Sequence, residues 1–230
     1  MPVKYIAVVK GAREVSLAGA ADYEFWKSRL EPERLVPVQI NNAAEVLLSA
    51  VELKWMGVRF SELSVSMRVH EVDEPGKAGI YLASAFNTSK MFSFIERHWF
   101  HTPYRHAQVH VSAREPWSFQ LTDNAETILQ AVKHVNTAPT KCETVWEGAI
   151  YLPNRRAGSR AHFEVFFARL SGPTEIAPYD GAHDFIQLAA SKHDPIFQSL
   201  NDSSFTAIEW RVRSNATHAR SKTYKRGFVP

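Results

Sequence analysis

The sequence contains a single cysteine, no long apolar run and few glycines, and each of these absences removes a class of protein. The lone Cys142 excludes an internal disulfide and fits a reducing compartment. The first residues, MPVKYIAVVKGAREV, lack the apolar stretch of a secretion signal or a membrane span. We therefore expect a cytoplasmic protein with no membrane partner.

Motifs for several well-known chemistries are also missing. The 10 glycines are scattered, so no phosphate-cradling loop is expected, and no Gly-x-Ser-x-Gly sequence marks a serine nucleophile. His106 and His110 would lie about 13 Å apart on one strand, too far to share a metal ion. No Cys/His spacing of a zinc site occurs. We expect no bound metal and no cofactor.

Charge is small overall but uneven along the chain. The net charge of +3 does not by itself indicate nucleic acid, and we expect no nucleic-acid partner. After Glu209 there is no acidic residue, and the basic residues that follow are Arg211, Arg213, Arg220, Lys222, Lys225 and Arg226. Such a segment is most often a solvated strand or a frayed end; binding of an anionic partner is the alternative.

Hydrophobic periodicity predicts many strands and a few short helices in one domain covering residues 1–230. The clearest strand is 61–70, in which Leu63, Val65, Met67 and Val69 alternate with polar residues. Further strands are predicted at residues 4–9, 45–54, 78–86, 106–112, 117–121, 145–152, 161–170 and 205–212. Helices are predicted at 21–30, 90–99, 184–191 and 195–200, and 128–135 fits either type. The pattern is typical of an α+β, mostly β fold, with an antiparallel sheet that curls into a sandwich or barrel around a cavity.

The stretch HWFHTPYRHAQVHVS, residues 98–112, carries the most varied chemistry. Pro103 ends the preceding helix and favours an extended chain, so that Tyr104 and Arg105 lie where helix turns into strand, a usual place for ligand contacts. One face of the following strand carries His106, Gln108, His110 and Ser112.

Five ordered segments resemble a known family. They are RLEPERLVP (29–37), AEVLLSAVELKWMGVRFSELSV (44–65), GIYLASAFN (79–87), FHTPYRHA (100–107) and EVFFARLSGPT (164–174). In this order they resemble the acetoacetate decarboxylase-like superfamily, especially its bacterial branch related to YqjF, over roughly residues 25 to 212. The resemblance implies an acetoacetate decarboxylase-like curled sheet or barrel whose central cavity opens onto the residues after Pro103.

The family's decarboxylases carry two adjacent lysines after that proline, and one of them forms a Schiff base with a β-keto acid. Here Tyr104 and Arg105 occupy these positions, and neither a phenol nor a guanidinium forms an imine. The parent decarboxylation is therefore not expected. The resemblance also implies that Glu52 and Glu62 correspond to glutamates of the pocket wall, and it weakly matches Arg13 to an N-terminal arginine.

The sequence thus predicts a cavity for a small anionic or keto-containing molecule. Arg105 would anchor negative charge, Tyr104 would donate a hydrogen bond, and Glu62 would act as acid or base. Further ligand contacts are expected from Glu52, Trp99, His101, His106, Gln108 and His110.

Two kinds of function remain open at this point. An enzyme would perform lyase, hydratase or isomerase chemistry on a carbonyl substrate without a Schiff base, whereas the alternative is a non-catalytic small-molecule-binding module of the same fold. Lys90, Lys133 and Lys141 are candidate replacement amines if an imine forms after all. Pairing of exposed sheet edges into a homo-oligomer is also left open.

Overall fold

The computed structural model describes residues 3–134, 138–157, 160–189 and 194–227. Its helices are α1 (Tyr23–Leu30), α2 (Lys90–Trp99) and α3 (Pro195–Asp202). Its strands are β1 (Tyr5–Asp22), β2 (Leu35–Pro37), β3 (Gln39–Ile40), β4 (Ala43–Trp55), β5 (Val58–Glu71), β6 (Glu74–Asn87), β7 (Tyr104–His106), β8 (Gln108–Ser112), β9 (Ser118–Asp123), β10 (Glu126–Val132), β11 (Thr140–Tyr151), β12 (Arg155–Ala157), β13 (Arg160–His162), β14 (Glu164–Pro178), β15 (Phe185–Leu188), β16 (Thr206–Ser221) and β17 (Tyr224–Lys225). The mostly β prediction is confirmed.

The largest sheet curls until its strand path closes. Hydrogen-bonded neighbours run in the order β5, β4, β1, β16, β14, β11 and β6, and β6 pairs again with β5. Two pairings, β11 with β6 and β6 with β7, are parallel, so the sheet is mixed rather than antiparallel. The β6–β7 pairing is parallel because α2 connects the two strands as a crossover, which returns the chain in its original direction.

The closed sheet forms a wall, and the alternation predicted for β5 gives this wall two different faces. Leu63, Val65 and Val69 are buried in the main core on the outer face. Glu62 and Ser64 point the opposite way and line an internal cavity. The polar face predicted from the sequence is therefore an interior surface rather than a solvated one.

The main core lies between this wall and an outer layer. That layer consists of the four-stranded sheet β15-β10-β9-β8 together with α1 and α3. The largest fully buried side chains of the main core include Trp26 on α1 and Trp210 on β16. Each indole N–H has a partner: Trp26 donates to Ser203 Oγ at 3.0 Å and Trp210 to Asp184 Oδ2 at 2.9 Å. The outer layer thus packs closely against the outer face of the wall.

Helix α2 closes the wall near one end of the cavity. Ser89 caps its first turn by accepting a hydrogen bond from the Phe92 N–H at 3.3 Å. Phe92 packs against Phe60 and Trp55, with ring centroids 4.5 and 5.5 Å away. This packing orients the helix so that Glu96 points into the cavity.

The strand pairing settles three segments. The helix expected at 184–191 is wrong, because this region holds strand β15, which pairs with β10 from Leu129↔Leu188 to Val132↔Phe185; residues 190 and 191 lie outside the described part. The segment 128–135, which fits either type from its sequence, belongs to strand β10 as far as Val132, and residue 135 lies outside the described residues. Of the two interpretations of the basic segment after Glu209, the strand is correct and the frayed end is wrong, because β16 continues to Ser221 between β1 and β14. In each case tertiary pairing decides a structure that the local pattern left open or misjudged.

Among the described residues, no helix has the length and apolar character needed to cross a membrane.

Candidate functional site

The inner face of the closed wall surrounds a cavity of about 750 Å³, large enough for a drug-sized organic molecule. Strands β1, β4, β5, β6, β7, β11, β14 and β16 contribute side chains to it, as does α2. Much of the lining is apolar, including Leu53, Phe60, Leu82, Ile150 and Phe166. Charged and hydroxyl groups are inserted into this apolar surface as clusters.

Glu62 on β5 is the centre of the first cluster. Its Oε2 accepts a hydrogen bond from the Tyr104 hydroxyl at 2.9 Å, and its Oε1 accepts one from Asn87 Nδ2 at 2.8 Å. Asn87 lies directly opposite Glu62 on β6, and Tyr104 starts the strand beside β6. The two donors therefore hold the carboxyl group in one orientation against the cavity wall.

The surroundings of Glu62 make it a group that can exchange a proton near neutral pH. Burial raises its pKa, the negative charge of Glu96 adds to this, and the hydrogen bonds from Tyr104 and Asn87 oppose it; the net pKa is about 7. The pKa of Tyr104 is also raised well above its usual value, first by burial and then by the charge of Glu62. Tyr104 is therefore a neutral hydrogen-bond donor at physiological pH.

The carboxylate that acts on Glu62 is itself tightly held. Both Glu96 oxygens accept from Arg220 Nη1 at 2.6 Å, and Glu96 Oε2 also accepts from Thr102 Oγ1 at 2.9 Å. The Arg220 guanidinium lies between two aromatic rings, 4.6 Å from the Phe100 centroid and 4.4 Å from that of Phe166. Because planar cations are stabilised by aromatic faces, this arrangement places a fixed positive charge in the cavity wall.

A second ionic cluster joins β1 to β16. Glu14, only 3% exposed, accepts from Arg213 Nη1 at 3.3 Å and from Ser16 and Ser49 at 2.9 and 3.0 Å. His218 Nε2 lies 3.3 Å from the other Glu14 oxygen. Burial alone would raise the pKa of Glu14, but the hydrogen bond and charge of His218, together with Arg213 and Ser16, outweigh it and lower the pKa to about 2. Glu14 is therefore an anion in the wall at neutral pH.

The structure brings Glu62 and Tyr104 together but places Arg105 elsewhere. Tyr104 and Arg105 are consecutive residues of β7, so their side chains point to opposite faces of the strand. Arg105 Nη1 lies 3.8 Å from Asp194 Oδ2, and Arg105 is not among the described residues that line the cavity. Its position does not support the predicted role as the anchor of a ligand's negative charge.

Glu52 is also separated from Glu62, for the same reason of alternation. On β4, Glu45, Leu47 and Ser49 face the cavity, whereas Glu52 faces the other way. Its Oε2 lies 3.7 Å from Arg13 Nη1, so the two residues matched to the family's pocket form a surface ion pair. Glu52 therefore pairs with a neighbouring residue instead of lining the cavity as expected.

The remaining predicted contact residues lie on the outer surface. Trp99 is 70% exposed, and His106, Gln108 and His110 are exposed along β7 and β8, while Ala107 and Val109 on the alternate face are buried. The alternation is thus as predicted, but its polar face meets solvent. His101 Nδ1 lies 2.7 Å from Glu164 Oε1. None of these five is among the described residues that line the cavity.

Apart from Glu62, sequence reasoning missed the charged groups that do line the cavity. Within the described residues these include five arginines, four glutamates and no lysine. Arg213, His218 and Arg220 come from the segment interpreted as a solvated tail. The sequence does contain a signal for a strand with one buried face here, because Arg211 and Arg213 alternate with Trp210 and Val212, which are buried. Lys133 is buried but pairs with Asp184 in the outer layer, 3.4 Å away.

No cluster of potential metal ligands occurs among the residues that the structure describes.

Solved structures with this architecture identify the fold. An acetoacetate decarboxylase from Legionella pneumophila superposes with a TM-score of 0.69 at 13% identity, covering 97% of this chain and 88% of that one. An acetoacetate decarboxylase-like enzyme from Sphingomonas wittichii RW1 gives 0.63 at 13% identity, with 95% and 92% covered. The enduracididine biosynthesis enzyme MppR, with HEPES buffer bound, gives 0.63 at 10% identity, with 98% and 89% covered.

These likenesses extend over almost the whole chain. The protein therefore has the acetoacetate decarboxylase-like fold, and the resemblance seen in the sequence is confirmed at the level of the fold. No protein-family model matches the sequence, and no curated protein matches it.

Proposed function

We propose that the cavity takes up a small organic anion that carries a carbonyl group, and that Glu62 exchanges a proton with it. The observation that carries this proposal is the placement of Glu62. It lies on the cavity wall, is oriented by Tyr104 and Asn87, and has a pKa of about 7. A carboxyl group tuned to the working pH is the form that general acid–base catalysis favours.

The charge of the cavity supports an anionic ligand. Its described lining carries one more arginine than glutamate, and the excess grows when Glu62 is protonated. Arg213 and Arg220 are the cations held within the two clusters, and we assign to this wall the electrostatic role first expected of Arg105. The apolar remainder of the lining would hold a hydrocarbon part of the ligand.

The proposed step is removal of a proton from the carbon next to the carbonyl. The C–H proton moves to the Glu62 carboxylate, and the electron pair moves onto the carbonyl oxygen to form an enolate. Once Glu62 is protonated, the Tyr104 hydroxyl can donate to that oxygen instead of to Glu62. Return of the proton to the same or another carbon, or loss of a neighbouring group, gives isomerase, hydratase or lyase outcomes.

Exchange of substrate protons with solvent tests this step without knowledge of the final product. Wild-type protein in D₂O is incubated with a panel of 2-oxo and 3-oxo carboxylates, and loss of the α-proton signal is followed by proton NMR. We expect at least one panel member to exchange, and Glu62→Gln to lower that rate by about 100-fold or more. Glu52→Gln, which removes a carboxylate on the opposite face of the neighbouring strand, is the matched control and should exchange like the wild type.

A second measurement separates this chemistry from an imine mechanism. Borohydride is added to each panel mixture, and the intact mass of the protein is determined. Because no lysine is among the described cavity residues, we expect no trapped adduct. A stable adduct would overturn the proposed mechanism in favour of a Schiff base. Binding of an oxo acid, seen as a rise in melting temperature, with no proton exchange would favour the non-catalytic binding module.

A further inference from the structure

One edge of β11 has backbone groups that no strand of the described chain covers. Along its first edge β11 pairs with β14 without interruption, from Thr140↔Ile176 to Tyr151↔Val165. Along its second edge it pairs with β6 only at Ile150 and Tyr151. Within the described part of the chain, residues 140–148 therefore have no strand partner along this edge, and such an edge is a template for another strand.

This edge lacks two of the features that usually protect exposed strands, a proline and a bulge, although it does carry charged side chains. The nine residues, TKCETVWEG, contain no proline, and the pairing with β14 shows no bulge over this length. Val145 is 64% exposed on the outward face. A long, regular edge with an exposed valine favours addition of a further strand.

We propose that a second copy of this chain pairs with β11 at this edge, antiparallel about a twofold axis. Such an axis, perpendicular to the sheet, places side chains from the same face opposite each other. With the axis at Cys142, Lys141 lies opposite Glu143 of the other copy, and symmetry repeats this contact. With the axis at Thr144, Lys141 lies opposite Glu147 twice. An axis at Glu143 would set two carboxylates against each other and is disfavoured.

The side chains involved can reach a second copy. Lys141 is 75% exposed along its side chain, although its Nζ also lies 3.1 Å from Glu175 Oε1. Glu143 is exposed, and Glu147 accepts a hydrogen bond from the Tyr5 hydroxyl at 2.8 Å. The outward face of this strand therefore carries one lysine and two glutamates. Reversing a second copy can set the lysine of each strand opposite a glutamate of the other. The same strand supplies Trp146 and Ile150 to the cavity wall, so the pairing would brace that wall.

The test measures mass in solution and exploits the symmetry of the contact. Light scattering after size exclusion, over a range of concentrations, should give the mass of a dimer for the wild type. Lys141→Glu should raise the dimer dissociation constant by about tenfold or more, because it turns both symmetry-related attractions into repulsions. Lys54→Glu, a charge reversal of an exposed lysine near the end of β4, should leave the dimer unchanged. Circular dichroism melting confirms that each variant folds.

Mixing variants distinguishes the interface from an effect inside one chain. For the axis at Cys142, Glu143→Lys alone should also weaken the dimer, and mixing it with Lys141→Glu should restore association, since both cross-chain pairs are then attractive. For the axis at Thr144, Glu147→Lys takes the place of Glu143→Lys. A bifunctional thiol cross-linker should join two Cys142 side chains only in the first case. A monomeric wild type, a dimer indifferent to Lys141→Glu, or no restoration in either mixture would overturn the proposal.

Discussion

Replacing Glu62 with glutamine should change the stability of the protein by an amount that depends on pH. The folded-state pKa of Glu62 is about 7 against an ordinary value of 4.5. Folding therefore favours the protonated form. The contribution of this group is fully present below about pH 4.5 and is lost as the pH rises towards 7. Glutamine does not ionise, so the free energy of unfolding of the variant should increase relative to that of the wild type as the pH increases.

The size of the effect follows from the pKa difference. Each unit of pKa difference is worth about 1.4 kcal/mol, so the difference between 4.5 and 7 lowers the stability of the wild type by about 3 kcal/mol above pH 7. Part of this loss of stability, about 0.8 kcal/mol, has already occurred at pH 5, so the stability difference between variant and wild type should change by about 2.5 kcal/mol between pH 5 and pH 8. Water in the cavity will reduce the figure. Any constant cost of replacing the carboxyl group beside Tyr104 and Asn87 cancels in the comparison.

Urea unfolding at 25 °C, followed by circular dichroism at several pH values, measures this difference directly. Glu62→Gln should become more stable relative to the wild type from pH 5 to pH 8, and Glu52→Gln should not show this trend. A stability difference that stays constant across the range would refute the argument. In that case Glu62 would not be a group whose ionisation the fold opposes.

Three further predictions concern the neighbours of this group. Tyr104→Phe should raise the pKa of Glu62 further, because it removes a hydrogen bond that lowers this pKa. Carbon-13 NMR titration measures the pKa, with the Glu62 carboxyl signal assigned by its loss in Glu62→Gln, and a lower pKa in Tyr104→Phe would contradict the prediction. Glu14→Gln should destabilise the protein by about 3 kcal/mol at pH 7, because it leaves Arg213 buried without its anion. The loss should shrink as the pH falls from about 4.5 towards 2, where the wild-type carboxylate also becomes protonated, and a pH-independent loss in urea unfolding would count against the ion pair. Arg105→Ala should leave proton exchange within about twofold of the wild type, since Arg105 lies outside the described lining; a tenfold loss would return it to the site.

The sequence predicted those parts of the fold whose signal is local. Strand β5 and helix α2 follow from clear periodicity, and the five family-like segments pointed to the correct fold. The ends of β1 and β16 did not follow, because their small and charged residues carry little strand propensity. Their strand structure depends on pairing with each other, between residues as far apart in sequence as Tyr5 and Ser221.

Residues of the candidate site were predictable only where a local sequence pattern determined the direction of the side chain. The alternation of β5 put Glu62 on a polar face, and the position after Pro103 identified Tyr104. Whether a polar face meets solvent or a cavity depends on how the sheet closes, which is a property of distant strands. For this reason His106 of β7 and His110 of β8 were expected in the pocket, while Arg213 and His218 of β16 were not.

The pH dependence of α-proton exchange tests the central claim most directly. With an exchanging oxo acid from the panel, and with the buffer-catalysed rate subtracted, the wild-type rate should rise with pH through about 7 and then level off as Glu62 becomes a carboxylate base. Glu62→Gln should show no such rise, and Glu52→Gln should follow the wild type. The same profile in Glu62→Gln, or no exchange with any oxo acid, would contradict the account.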